Sequence, residues 1–167
     1  MGRSAVLLMA VVVAFLAPSD ALAKSTRVSP SEWRKGDNAK VLPRYCQDRL
    51  DRRGRWLQWR EHFGSVYPHM HHYCGGLYAE IKAQVELDKR RRSQWLNIAV
   101  GEMSYVARFC DSRCILYADV HKRIASALNM QGRPAEAMQH LKLLDTARPL
   151  TPGTRPVPNE MQNSAPQ

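Results

Sequence analysis

The sequence predicts an all-α protein, a short stack of antiparallel helix hairpins behind an N-terminal capping segment. Three observations carry this. Apolar residues recur three or four apart through most of the second half, the spacing of one helix face. Gly and Pro punctuate that pattern at intervals suited to short inter-helix turns. No stretch alternates apolar and polar residues as a half-buried strand would.

In chain order, residues 24–45 are polar and irregular. Ser31 is placed to cap a short turn holding Trp33, Gly36-Asp37-Asn38 reads as a turn, and Leu42-Pro43 as extended chain. Residues 46–63 carry Cys46, Leu50, Leu57 and Trp59 as the apolar side of a helix that Gly54 interrupts and Phe63-Gly64 ends. Pro68 suits the first position of the next helix, whose apolar face is Met70, Tyr73, Cys74, Leu77, Ile81 and Val85. After the basic run Lys89-Arg90-Arg91-Arg92, a second helix shows Trp95, Ile98, Ala99, Met103, Val106 and Phe109. Cys110 to Cys114 is a break. A third helix carries Leu116, Val120, Ile124, Ala127 and Leu128, and Asn129 to Arg133 turns at Gly132. Pro134 opens a fourth helix with Ala137, Met138, Leu141, Leu143 and Leu144 inward, and Pro149 stops it. From Thr151 the chain is Pro-rich and polar and reads as a disordered tail, 151–167.

Residues 1–23 read as a cleavable signal peptide. Arg3 is the positive start, Ala5 to Leu16 an uncharged apolar run too short for an ordinary span, and Ala21-Leu22-Ala23 a small-residue cleavage site. Cleavage leaves 144 of the 167 residues, enough for one core. The expected location is therefore the periplasm or the exterior. The formal net charge is +10, and the leader carries one Arg and one Asp, so export leaves it unchanged. In that setting the charge points to anionic lipid headgroups, acidic polysaccharide or acidic protein, and away from nucleic acid. The basic runs Arg52-Arg53-Gly54-Arg55 and Lys89 to Arg92 read first as solvated faces.

The four cysteines, Cys46, Cys74, Cys110 and Cys114, allow three pairings. Export makes disulfides the default. The spacing favours Cys46–Cys74 and Cys110–Cys114, with a redox pair at Cys110 and Cys114 as the lesser reading.

The stretch 118–149 resembles a tetratricopeptide repeat (TPR), a family that builds units of about 34 residues from two antiparallel helices. Ile124-Ala125 and Leu128 stand where the family has a Leu-Gly pair and then an aromatic. Gly132 falls in the inter-helix turn, Ala137, Leu141 and Leu144 follow at the usual spacing, and Pro149 closes the unit. Ala125 and Ala137 make sense as close-contact residues, where a larger side chain would push the helices apart. The departures are His121 in place of an early aromatic and Ala125 in place of Gly. Residues 69–109 resemble a degenerate second unit, with Gly75-Gly76-Leu77 at the close contact and a basic connection too long for a regular repeat. Two units need capping, which assigns residues 24–68 to a cap and 69–150 to the repeat domain. The resemblance implies a scaffold with a groove for a protein or peptide, and no catalysis.

His69-Met70-His71-His72-Tyr73-Cys74 is the most unusual string. With its following Gly and Leu it is similar to a string in a group of uncharacterised exported bacterial repeat proteins. One reading packs these histidines at a buried helix start. The other makes His69, His71 and His72 ligands of Zn or Cu, with His62 nearby. His121 and His140 read as single structural or exposed histidines, Trp56, Trp59 and Trp95 as packing, and no pair among Glu61, Glu80, Glu86 and Glu102 marks an acid/base dyad. The sequence thus favours an exported interaction scaffold over a periplasmic metal-binding protein, and no enzyme.

Overall fold

A computed structural model describes residues 29–50 and 55–145. The leader, the tail 151–167, Pro149 and residues 51–54 lie outside these. Among the described residues there are six α-helices and no strand. They are α1 (Arg44–Leu50), α2 (Trp56–Phe63), α3 (Met70–Val85), α4 (Lys89–Ala107), α5 (Tyr117–Met130) and α6 (Pro134–Asp145). The all-α expectation holds. One cluster of buried side chains runs from Trp33 to Ala137, so the N-terminal segment and the four long helices share a core.

Cross-helix partners fix the directions. Gly76 faces Met103 while Tyr78 meets Trp95, so α3 and α4 run antiparallel. His121 meets His140 and Tyr117 reaches Leu143, so α5 and α6 do too. Tyr73 bonds Asp119 and Glu80 bonds Arg123, so α3 and α5 run parallel. Gly132, at φ 74°, turns α5 into α6 as expected, a conformation that glycine adopts without steric cost. Ala125 and Ala137 are buried, as expected of close-contact residues.

Several boundaries differ from expectation. Lys89 to Arg92 is the first turn of α4 rather than a connection. Asp88 caps that turn, its carboxylate accepting from the Arg91 backbone N–H at 2.7 Å, and a side-chain cap satisfies a donor the helix leaves orphaned. The α3–α4 link is thus only residues 86–88. Pro68 lies within a 3-10 turn, Gly64–His69, and α3 starts at Met70. Ser31 makes no side-chain cap, because its hydroxyl pairs with Ser29 instead. On α6 only Ala137 is buried, and Met138 and Leu141 stay 52% and 36% exposed. No later helix covers that side among the described residues. Phe109, expected inward, is 46% exposed and stacks on His69.

The cap is anchored at Trp59, wholly buried, whose indole N–H donates to Asp48 at 2.9 Å. Arg44 and Arg55 hold the same carboxylate at 3.0 and 3.5 Å. The expected disulfides are both present. Cys46–Cys74 ties α1 to α3, and Cys110–Cys114 closes the break before α5. They fit an oxidising compartment.

At Gly76, α3 packs tightly against α4. A Cβ there would meet three atoms of the buried Met103 side chain, at 2.8, 3.0 and 3.2 Å. Gly101, on α4, would meet nothing within 4 Å. Gly101→Ala should therefore gain about 0.5–1 kcal/mol in urea denaturation, the helix-propensity difference. Gly76→Ala should lose about 1–2 kcal/mol, because overpacking outweighs that gain. Equal effects at the two sites would contradict the close approach.

Candidate binding cleft

The histidine string does not assemble one ligand set. The His69 ring stacks on Phe109, centroids 3.8 Å apart and nearly parallel. His71 donates from Nδ1 to the Pro68 carbonyl at 2.9 Å. His72 donates from Nδ1 to Glu102 at 2.8 Å and lies against Tyr105. His62 sits edge-on to Phe63 and Trp59. Among the described residues no three His, Cys, Asp or Glu side chains converge as a metal-holding group. His69, His71 and His72 therefore stand apart, each on its own partner, and are not gathered as a Zn or Cu ligand set in this structure. Starting α3 at Met70 spreads the rings around one helical turn, and each finds its own partner.

His71 instead faces a cleft of about 550 Å³ between the cap and the start of α3. Trp33, Arg34, Arg49, Leu50, Trp56, Tyr67 and His71 line it. The volume lies within the usual range for ligand sites. The 3-10 turns of the cap supply Trp33 and Arg34, α1 supplies Arg49 and Leu50, and α2 opens with Trp56. The Arg34 guanidinium lies 5.3 Å from the Trp33 ring and that of Arg49 4.8 Å from Tyr67. Cation–π contact of this kind holds a guanidinium in place while leaving N–H donors free. Arg49 also donates to the Pro68 carbonyl at 3.1 Å. Among the described residues neither arginine is paired with a carboxylate.

The Pro68 carbonyl can only accept, so neutral His71 carries its proton on Nδ1 and keeps Nε2 as an acceptor. Burial, then the neighbouring His72, lowers its pKa below the ordinary imidazole value, so the ring is neutral near pH 7. The cleft thus combines two cations, aromatic walls and one neutral acceptor. That combination recognises an anionic group, carboxylate or phosphate, attached to a flat or apolar body.

Sequence reasoning missed two arrangements. Arg34 and Arg49 lie outside both basic runs, and only the fold brings them to one cleft. The chain Tyr45–Tyr73–Asp119–Arg123–Glu80 crosses α1, α3 and α5, with Arg123 at 2.7 Å from both Asp119 and Glu80. Its members lie up to 78 positions apart, between Tyr45 and Arg123, and no local spacing marks them.

Comparison with known proteins finds no family model, no curated protein and no solved structure that matches this chain.

Proposed function

We propose that this chain is an exported, TPR-like helical scaffold that binds an acidic protein or peptide segment, with the Arg34–Arg49 cleft as its contact point. The supporting observation is the pair of arginines seated on Trp33 and Tyr67 without a carboxylate partner among the described residues. The net charge of +10 adds long-range attraction for an acidic partner. The leader-like residues 1–23 and the two disulfides support export. The antiparallel hairpins, with Ala125 and Ala137 buried and Gly132 in the turn between α5 and α6, support the TPR-like reading.

A labelled peptide rich in Glu and Tyr, followed by fluorescence anisotropy, tests it. The double variant Arg34→Glu/Arg49→Glu should weaken binding at least tenfold. Lys89→Glu/Arg92→Glu, on the exposed first turn of α4, should change it less than threefold. Affinity should fall steeply with salt, as screening requires. Unchanged affinity in the first variant would overturn the assignment. Equal loss in both would mean diffuse charge attraction, the behaviour expected of a lipid or polysaccharide surface.

A further inference from the structure

The α3–α4 link and the α5–α6 turn lie at one end of the helix stack, because α3 runs antiparallel to α4 and parallel to α5. That end carries an apolar tip. Leu87, in the link, is 96% exposed, and Val85, the last residue of α3, is 66% exposed. An exposed leucine says little alone, since scattered apolar side chains are normal on protein surfaces. Its setting says more. Lys89, Arg90 and Arg92 follow on the first turn of α4, all exposed and none paired with a carboxylate among the described residues. The nearby acidic groups are occupied. Glu86 holds Arg91 at 3.0 Å, Asp88 accepts from the Arg91 backbone N–H, and Glu136 holds Arg133 at 2.6 Å. Lys89, Arg92 and Arg133 also line a hollow of about 540 Å³, together with Leu96 and Met130.

We propose that this end of the stack is a membrane-surface contact. Leu87 and Val85 enter the interface of a bilayer containing anionic lipid, while Lys89, Arg90 and Arg92 meet its phosphate headgroups.

The combination of apolar tip and free cations selects a bilayer over other anionic partners. An acidic polysaccharide satisfies the cations but offers no apolar phase to Leu87. A bilayer offers both, charge at its surface and hydrocarbon just beneath. Leu87 is almost wholly in water, so insertion removes its apolar surface from water without breaking a packing contact. The link is also held in place before contact. The Glu86 carboxylate accepts from the Asp88 backbone N–H at 3.0 Å and from Arg91, and Asp88 caps α4. A tip fixed in this way loses little conformational freedom on binding.

The test uses signal-cleaved protein sedimented with two kinds of vesicle. One is phosphatidylcholine alone, and the other contains about one-third phosphatidylglycerol, a strongly anionic surface. The wild-type chain should bind the anionic vesicles at least tenfold more tightly. Lys89→Glu/Arg92→Glu should weaken that binding about twentyfold or more, since each basic residue at an anionic surface is worth about fivefold. Leu87→Ser should weaken it about fivefold or more by removing the inserted apolar side chain. Binding to soluble dextran sulfate should be unchanged in Leu87→Ser. Circular dichroism should be the same for all variants, because the altered side chains are exposed. Vesicle affinity untouched by Leu87→Ser would overturn the proposal, leaving charge attraction alone. So would an equal loss in Arg34→Glu/Arg49→Glu, which changes the net charge by the same amount. The acidic-peptide cleft lies at the opposite end of α3, so either proposal can fail alone.

Discussion

Replacing Cys46 and Cys74 together by alanine should lower stability by about 3.5 kcal/mol in urea denaturation. The bond closes a loop of 28 residues, and loop-closure entropy for about that length gives this value. The loop holds α2 and the 3-10 turn that leads into α3, the elements that shape one side of the cleft. Both sulfurs are fully buried beside a ring cluster in which Tyr45 packs edge-on to Trp59 and Phe63. Reducing agent should bring the wild-type chain somewhat below the variant, because it also opens Cys110–Cys114. The corresponding Cys110/Cys114 variant should lose clearly less, since that bond spans only four positions. A loss below about 1 kcal/mol for Cys46/Cys74 would mean that the cap does not depend on its staple.

Arg123→Met should cost about 3 kcal/mol or more, measured the same way. Arg123 bridges Glu80, whose side chain is 8% exposed, and Asp119, which also accepts from the Tyr73 hydroxyl. Burial pushes Tyr45 up to about 12, and raises Tyr73 well beyond its ordinary value, so both phenols stay neutral donors. Burial works against the Arg123 charge, but Tyr73, Asp119 and Glu80 together hold its pKa above the ordinary range. Removing the guanidinium strands the Glu80 carboxylate in the core, and an uncompensated buried charge costs about 3–5 kcal/mol. Adding Glu80→Gln should recover part of the loss by removing the stranded charge. No recovery would place the cost in lost packing of the arginine stem instead.

Local features are legible in the sequence where one turn or one helix face decides. The periodicity of Tyr73, Leu77, Val106, Ile124 and Leu128 reflects burial on one side of a helix, and all five are buried. Gly132 and Pro134 mark a turn because their backbone preferences do not depend on distant contacts. Boundaries slipped where a cap or a competing partner decided. The positive charge of Lys89 to Arg92 opposes the helix dipole, and the Asp88 cap helps hold that turn helical. Where the histidine rings go also depends on distant partners. Three rings adjacent in sequence spread over one helical turn and met Phe109, Pro68 and Glu102 separately.

The all-α class, the order of the helices and the favoured cysteine pairing all follow from spacing along the chain. Which side chains meet follows from how the helices pack. That packing seated Arg34 and Arg49 on aromatic rings at one cleft, threaded Arg123 between Glu80 and Asp119, and set His121 against His140. Each of these depends on the rotation and close approach of helices far apart in sequence. One-dimensional patterning records small buried residues such as Gly76, Ala125 and Ala137 but not the side chains that meet around them.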